Sequence, residues 1–152
     1  LNVTGLNFQS LQGDKAYLKM YPELQKGFCT IDIADCPDLG PVLCSSAALC
    51  HGAVFTGTKR LKWKESDRAE AMRQELAKCG INMTIEENSV HICADTLKAP
   101  TDVISGHNDH RIVMAAAVAS VRATKEIDIQ GTQAVNKSYP GFFEDFDKVK
   151  EA

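Results

Sequence analysis

The sequence predicts an α/β (α+β) fold made of repeated βαβαββ units. Two almost wholly apolar helical stretches, at residues 39–51 and 110–123, each lie between short strand-like segments. Helices of this kind are buried, here beneath sheets. In both places the strand after the helix ends in a Gly-Thr pair, at 57–58 and at 131–132. The same order of elements therefore occurs twice, which indicates an internal repeat.

The first copy of the repeat covers residues 28–93 and contains the clearest helix, at 66–79. Apolar side chains recur there at helical spacing. Ser66 is placed to cap the start of this helix and Gly80 to end it. Alternating apolar residues then flank a polar turn and predict a β-hairpin. The strands of this copy are predicted near 28–33, 54–58, 81–85 and 90–92.

The second copy, in residues 94–152, has no sequence for the final hairpin. Its predicted elements are a strand, a helix, a strand and a helix, at 102–105, 110–123, 126–130 and 141–150. Residues 1–27, with a helix at 14–24, are interpreted as the tail of a preceding copy. The chain starts with Leu rather than Met. We therefore expect an incomplete domain that was processed or cut from a longer protein.

Composition excludes several classes of protein. With 44% hydrophobic and 24% charged residues, the chain is too apolar for a disordered segment. No apolar run approaches the roughly 18 residues of a membrane helix. The net charge of −3 argues against a nucleic-acid-binding protein, which is usually basic. A folded, soluble chain with neither nucleic-acid nor membrane partners is expected.

The cysteines are predicted to be buried free thiols, which favours a reducing, cytoplasmic environment. A disulfide framework is typical of short secreted chains with weak cores, whereas two cysteines here lie in the apolar run 42–50. No C-x-x-C pair occurs, and no His has zinc-ligand spacing from a second Cys pair. We expect neither a metal nor an organic cofactor. The six are Cys29, Cys36, Cys44, Cys50, Cys79 and Cys93.

Polar and charged residues collect in the loops that enter the helices. Helix N-termini present free N–H groups and a positive dipole end, so anions bind there. Lys and Arg side chains at three such entrances suit carboxylate or phosphate groups. The pattern predicts a site for a multiply anionic small substrate. Its candidate residues are Asp35, Asp38, Lys59, Arg60, Lys62, Lys64, Glu65, Asp67, Arg68, His107, Asp109, His110, Arg111 and Lys137.

Each candidate taken alone also has a purely structural interpretation. Asp38 could be the N-cap of the helix that follows it. The charged run 59–68 could be a solvated loop, and residues 109–111 could be a helix start with a local ion pair. Lys137 has no specificity by itself.

Taken together, three motifs resemble the EPSP synthase (3-phosphoshikimate 1-carboxyvinyltransferase) family. They are K-E-S-D-R at 64–68, N-D-H-R at 108–111 before an alanine-rich helix, and K-S-Y-P at 137–140. Pro37-Asp38 fits the same family, and the resemblance covers essentially the whole chain. It implies the enolpyruvyl transferase fold, with two domains of three βαβαββ units and an active site between them. It also implies that the extreme N-terminus supplies the final hairpin of this domain.

The resemblance implies transfer of the enolpyruvyl group of phosphoenolpyruvate to the 5-hydroxyl of shikimate 3-phosphate, with release of phosphate. This reaction belongs to the shikimate pathway, which leads to chorismate and the aromatic amino acids. The implied partners are these two small molecules and the missing N-terminal part of the same enzyme. This chain alone is expected to be inactive.

By motif match, the resemblance implies two proton-transfer groups and one contact to shikimate 3-phosphate. Asp38 would contact the ring hydroxyls and accept a proton. Glu65 would share proton transfer at the methylene carbon, and Lys64 would help bind shikimate 3-phosphate. Arg60 stands where many family members have Asn, so it is given no role.

The remaining motif residues are implied in phosphoenolpyruvate binding. Arg68, Arg111 and Lys137 would bind it, each from a different helix entrance. Asp109 and His110 would orient the neighbouring arginine and lysine. Two alternatives stay open. One is a non-catalytic anion-binding module. The other is the related enolpyruvyl transferase acting on UDP-N-acetylglucosamine, which is not expected to carry both K-E-S-D-R and N-D-H-R.

Overall fold

The computed structural model describes Gly5 and residues 7–150, and its elements follow the predicted order. The first residues of the predicted 1–27 tail and the last two of the 94–152 copy lie outside the described residues. The elements are α1 (Tyr17–Lys26), β1 (Cys29–Asp32), α2 (Gly40–Leu49), β2 (Ala53–Thr56), α3 (Arg68–Lys78), β3 (Met83–Ile85), β4 (Ser89–Ile92), β5 (Ile104–Ser105), α4 (His110–Ser120), β6 (Ile129–Gln130) and α5 (Phe142–Lys150). Short 3-10 helices lie at Gly13–Ala16, Pro37–Leu39, Thr58–Trp63 and Thr132–Lys137. The first falls at the start of the helix predicted at 14–24, whereas the sequence patterns did not indicate those at Thr58–Trp63 and Thr132–Lys137.

The strands form two sheets. The first has the order β1-β2-β4-β3, in which β2 is parallel to β1 and antiparallel to β4. The second, as far as the chain is described, contains the parallel pair β5 and β6. Parallel neighbours need a crossover connection, and α2 and α4 supply it in the two sheets.

The two parallel pairs end in the same backbone conformation. Gly57 after β2 and Gly131 after β6 have φ values of +73° and +76°. A Cβ atom on Gly57 would lie 2.5 Å from Oδ1 of Asp32, so a side chain there would both clash and strain the backbone. A six-residue 3-10 helix follows each glycine. The order β-α-β, glycine turn and 3-10 helix thus occurs twice.

Helix α2 lies at the centre of the core, as its apolar composition predicts. Eight of its ten residues are buried. It packs along α4, and the Ser45 hydroxyl donates a hydrogen bond to the carbonyl of Ala115 at 3.1 Å. Helix α4 is less enclosed than predicted, since Val118 is exposed. Because α2 and α4 lie side by side, the loops that enter them are neighbours.

One predicted helix cap is wrong, and one structural interpretation that the sequence left open is excluded. Helix α3 starts at Arg68, and its N-cap is Asp67, whose Oδ1 accepts the N–H of Glu70 at 3.1 Å. Ser66 instead donates its hydroxyl to Oδ2 of Asp109. Asp38 is not an N-cap either, because it lies inside the 3-10 helix before α2 and its carboxylate binds other side chains. Both polar groups serve tertiary contacts instead.

The cysteines are free thiols, as predicted, but they are not all buried. Cys36, Cys44 and Cys79 are buried, and burial raises the pKa of the Cys44 thiol to about 12. Cys93 is exposed, because it follows the last strand of the hairpin at the edge of the core. No helix in the described part of the chain has the length and apolarity that a bilayer crossing requires.

Candidate functional site

Six of the eight site residues that the resemblance implies line an open cleft at the entrances of α2, α3 and α4. Its volume is ≈ 440 Å³, and small-molecule sites usually measure about 300–1,000 Å³. Asp109 lies beneath the cleft and Lys137 is outside its lining. The residues that line it are Asp38, Lys64, Glu65, Arg68, His110 and Arg111.

Arg68 joins the carboxylates of this cleft. Its side chain is only 2% exposed. Nε donates to Oδ2 of Asp109 at 2.8 Å, Nη1 to Oδ1 of Asp38 at 2.8 Å and Nη2 to Oε2 of Glu65 at 2.6 Å. Burial lowers the pKa of Arg68, but these carboxylates outweigh it and raise the pKa above its ordinary value. One guanidinium therefore holds carboxylates from three separate segments of the chain.

Asp109 connects Arg68 to helix α4. It is the N-cap of α4, and its Oδ1 accepts the N–H of Arg111 at 2.9 Å. Its Oδ2 also accepts the hydroxyl of Ser66 at 3.0 Å. Burial raises the pKa of Asp109, but hydrogen bonds from Arg68, from this N–H and from Ser66 bring it below its ordinary value. Ser66 was missed as a site residue, because its local pattern is that of a cap.

Asp38 presents an ionised carboxylate to the cleft. Its Oδ1 accepts from Lys64 Nζ at 2.9 Å as well as from Arg68, and its Oδ2 lies 3.6 Å from Nη2 of Arg111. Burial raises the pKa of Asp38, but the hydrogen bonds from Lys64 and Arg68 and the charge of Arg111 outweigh it. The net pKa is below the ordinary value. An ionised carboxylate can only accept, which suits contact with substrate hydroxyls.

Glu65 has one oxygen committed and one without a hydrogen bond in the described part of the chain. Oε2 accepts from Arg68, whereas Oε1 lies 3.7 Å from Nδ1 of His110. That distance is too long for a hydrogen bond. The His110 nitrogen is buried and has no hydrogen-bond partner among the described residues. Oε1 of Glu65 is therefore available to a ligand in the cleft, while Arg68 holds the carboxylate in place.

Arg111 is the most loosely held cation of the cleft. Its Nη1 lies 3.6 Å from Oδ2 of Asp14, and its Nη2 lies equally far from Asp38. Contacts of this length are weak, so the guanidinium can turn toward an anion at small cost. Asp14 was missed by the sequence analysis, because it belongs to the 1–27 segment and to none of the charged motifs.

Lys137 reaches the same region from the 3-10 helix after β6. Its Nζ donates to the backbone carbonyl of Asn108, the residue before Asp109. Within the part of the chain that the structure describes, the positive charges of the cleft are matched by carboxylates. Lys64, Arg68 and Arg111 stand against Asp38, Glu65 and Asp109. A multiply anionic ligand therefore needs cations from outside this set, such as Lys137.

A second cleft, of ≈ 420 Å³, lies between the 3-10 helix around Trp63 and the hairpin. Its charges pair on the surface, where Lys59 and Glu87 form a solvent-exposed ion pair at 2.7 Å. Of the residues in the motifs 64–68, 108–111 and 137–140, only Asp67 lines this second cleft, and its side chain caps α3. Among the described residues, no group of three or more His, Cys, Asp or Glu is placed to hold a metal ion.

Comparison with known protein families matches residues 2–146 to the family described as EPSP synthase (3-phosphoshikimate 1-carboxyvinyltransferase). The chain is 40% identical over 161 residues to the 3-phosphoshikimate 1-carboxyvinyltransferase of Clostridium novyi. It is 37% identical over 160 residues to that of Clostridium kluyveri. These matches cover 95% and 93% of this chain but only 37% of each relative. The chain thus spans little more than a third of the length of these curated relatives.

Two solved structures of EPSP synthase from Acinetobacter baumannii are also similar. One has a TM-score of 0.67 and 32% identity, covering 76% of this chain and 27% of that one. The other has a TM-score of 0.66 and 26% identity, covering 94% of this chain and 29% of that one. The α/β fold class predicted from the sequence is confirmed.

Proposed function

The chain belongs to the EPSP synthase family, and from this premise we propose that it forms part of an enzyme that makes 5-enolpyruvylshikimate 3-phosphate. The substrates are phosphoenolpyruvate and shikimate 3-phosphate, and the other product is phosphate. One observation supports this most directly. Asp38 and Glu65 accept hydrogen bonds from the two terminal nitrogens of one buried guanidinium, Arg68, beside Lys64 and Arg111.

The reaction needs two proton-transfer groups and several cations. The 5-hydroxyl oxygen of shikimate 3-phosphate bonds to C2 of phosphoenolpyruvate and loses its proton, while the methylene carbon gains one. Phosphate then leaves from C2, and the new methyl group gives up a proton to restore the double bond. A base, an acid and fixed positive charges lower the barriers of such steps.

Asp38 and Glu65 are the proton-transfer groups that this chain contributes. Asp38, ionised and hydrogen-bonded to Lys64, contacts the ring hydroxyls and accepts a proton. Glu65, with its free Oε1, shares proton transfer at the methylene carbon. Arg68 fixes both carboxylates, so their separation is set before substrate binds. Lys64 also helps bind shikimate 3-phosphate.

Phosphoenolpyruvate is held from three helix entrances in this proposal. Arg111, with its two long contacts, turns to the ligand, and Lys137 approaches from the carbonyl of Asn108, which its Nζ contacts. Arg68 is the third residue proposed to bind phosphoenolpyruvate. Its nitrogens donate to carboxylates, but its side chain lines the cleft. Asp109 and His110 position these cations.

The chain represents part of one of two domains in this proposal. Residues 28–93 form a βαβαββ unit, residues 94–152 a unit without its hairpin, and residues 1–27 the tail of another. Strand β6 pairs with β5 alone among the described strands, whereas β2 pairs with both β1 and β4. A hairpin from the N-terminal part of the same enzyme would pair with β6. Free thiols fit a cytoplasmic enzyme.

The test is an assay of the full-length protein that carries this chain. We expect phosphate release only with both substrates, and none from this chain alone, because the cleft lacks the opposite domain and its cations. Replacing shikimate 3-phosphate by UDP-N-acetylglucosamine tests the related transferase. Turnover with that substrate, or none with shikimate 3-phosphate, would overturn the proposal. Anion binding by a full-length protein without turnover would favour the non-catalytic module.

A further inference from the structure

A polar cluster outside the cleft lining supports the turn before α4. We propose that Glu75 and His107 are positioning residues that hold this turn, at residues 106–109, in the shape that phosphoenolpyruvate binding requires. These roles rest on the proposed function, since they concern the same site. Neither residue belongs to the three charged motifs, and neither lines the cleft.

Glu75, on α3, binds the turn from below. It is 5% exposed. Its Oε1 lies 2.7 Å from Nε2 of His107, and its Oε2 accepts the N–H of Ser105 at 2.9 Å and Nζ of Lys78 at 2.7 Å. Burial raises the pKa of Glu75, but these hydrogen bonds outweigh it and lower the pKa below its ordinary value. Because the ionised carboxylate only accepts, Nε2 of His107 carries the hydrogen.

The turn has a left-handed backbone conformation, which residues other than glycine adopt uncommonly, although His and Asn adopt it more readily than most. His107 and Asn108 have φ values of +48° and +53°, and in the described part of the chain they are the only residues other than glycine with positive φ. Side chains of L-amino acids crowd the backbone in this region. The N–H of Asp109 closes the turn on the carbonyl of Gly106 at 2.8 Å. Such a conformation persists where surrounding contacts fix it. Here the hydrogen bonds of Glu75 with His107 and Ser105 provide those contacts.

The turn positions two cations assigned to phosphoenolpyruvate. Asp109, its last residue, binds Arg68, and the carbonyl of Asn108 accepts Nζ of Lys137. If the turn relaxed, both cations would lose a fixed partner. Lys64, assigned to shikimate 3-phosphate, contacts Asp38 instead. Asp38 binds Arg68 as well, but it keeps its contact with Lys64 if Arg68 shifts. Loss of the Glu75–His107 contact should therefore weaken phosphoenolpyruvate binding much more than shikimate 3-phosphate binding.

A merely structural role predicts a different result. Glu75 is buried, and its removal could lower stability without any effect on the site. A smaller folded fraction reduces the apparent kcat but leaves the KM of the remaining enzyme unchanged for both substrates. The two KM values therefore distinguish positioning from stability alone.

The experiment uses the full-length protein and the variant His107→Ala. We expect the KM for phosphoenolpyruvate to rise about tenfold or more, as misplaced site groups commonly cause, and the KM for shikimate 3-phosphate to change less than about twofold. His107→Gln keeps an N–H near the position of Nε2 and should restore much of the loss. His51→Ala, which removes an exposed histidine just beyond the end of α2, is the matched control and should behave as wild type.

Equal changes in both KM values, or a lower kcat with both KM values unchanged, would overturn the positioning role. Failure of the proposed function is distinguishable from this. If the wild type has no turnover, the turn is tested through hydrogen exchange at the Asp109 amide. Faster exchange in His107→Ala but not in His51→Ala supports the role of the contact in holding the turn, and unchanged exchange rejects it.

Discussion

The guanidinium of Arg68 and the carboxylate of Asp109 form a buried ion pair, with Nε 2.8 Å from Oδ2 and side chains 2% and 0% exposed. The pair joins the first residue of α3 to the N-cap of α4. Each side chain also binds the site, Arg68 through Asp38 and Glu65, and Asp109 through the start of α4. The contact that holds two helix entrances together is therefore the one that aligns the candidate catalytic carboxylates.

Asp109→Ala is expected to destabilise the protein by about 3–5 kcal/mol, because it leaves the Arg68 charge buried with one partner fewer. The cap of α4 is lost in the same variant. Denaturant unfolding of the full-length protein measures the change in the free energy of unfolding. Asp147→Ala, at an exposed carboxylate on α5, should change it little. If both substitutions lowered the free energy of unfolding equally, burial of the Arg68–Asp109 pair would not explain the effect of Asp109→Ala.

Acid is expected to destabilise the fold through Asp38, Glu75 and Asp109. All three have pKa values below their ordinary range in the folded state, so the unfolded chain binds more protons at low pH. Their contribution is fully present above about pH 4, where the unfolded carboxyls titrate, and it is lost as the pH falls through the folded pKa values. Unfolding free energies measured from pH 7 to pH 2 test this. In Asp109→Asn the decline should be shallower.

Local sequence patterns predicted the order of helices and strands, together with a wider set of charged loop residues that includes all those lining the cleft. They did so because apolar periodicity and glycine stops are local signals, and because charged residues before helices mark their N-termini. Asp14 and the Glu75–His107 contact were not predicted. The Glu75–His107 contact joins residues 32 positions apart, and a local sequence pattern cannot predict a contact over that separation. Ser66 was assigned to the wrong partner for the same reason, since Asp109 is 43 residues away.

Strand β6 is expected to gain a partner in the full-length protein. The carbonyls of Asp128 and Gln130 accept hydrogen bonds from the β5 side, so the alternation of the backbone directs the N–H of Ile129 to the opposite edge. Phe55 takes the matching place in β2 and pairs with Val90 of β4. The Ile129 amide should exchange with solvent rapidly in this chain and slowly in the full-length protein.

Hydrogen exchange followed by NMR or mass spectrometry makes this comparison. The Phe55 amide is the internal control, because β2 is paired with β4 in both proteins. Slow exchange at Ile129 in this chain, or rapid exchange in the full-length protein, would contradict a missing hairpin at this edge.

Arg111→Ala is expected to weaken phosphoenolpyruvate binding in the full-length enzyme by about 1.5–3 kcal/mol, or roughly 10- to 150-fold in KM, the usual size of a charged hydrogen bond. The two long contacts of Arg111 leave its charge available to the ligand. Steady-state kinetics with each substrate varied in turn gives the two KM values. Arg122→Ala removes an exposed arginine beyond the end of α4 and should change neither. A selective rise in the KM for shikimate 3-phosphate would assign Arg111 to the other substrate.

Glu65→Gln is expected to lower kcat in the full-length enzyme by about 100- to 10,000-fold, the usual contribution of a proton-transfer group. The KM values should change little, because glutamine keeps the shape and still offers an oxygen to Nη2 of Arg68. Glu87→Gln, at an exposed carboxylate of the hairpin, is the control for charge alone. A rise in KM at unchanged kcat would show that Glu65 holds substrate rather than moving a proton, and proton transfer would then fall to Asp38 and the opposite domain.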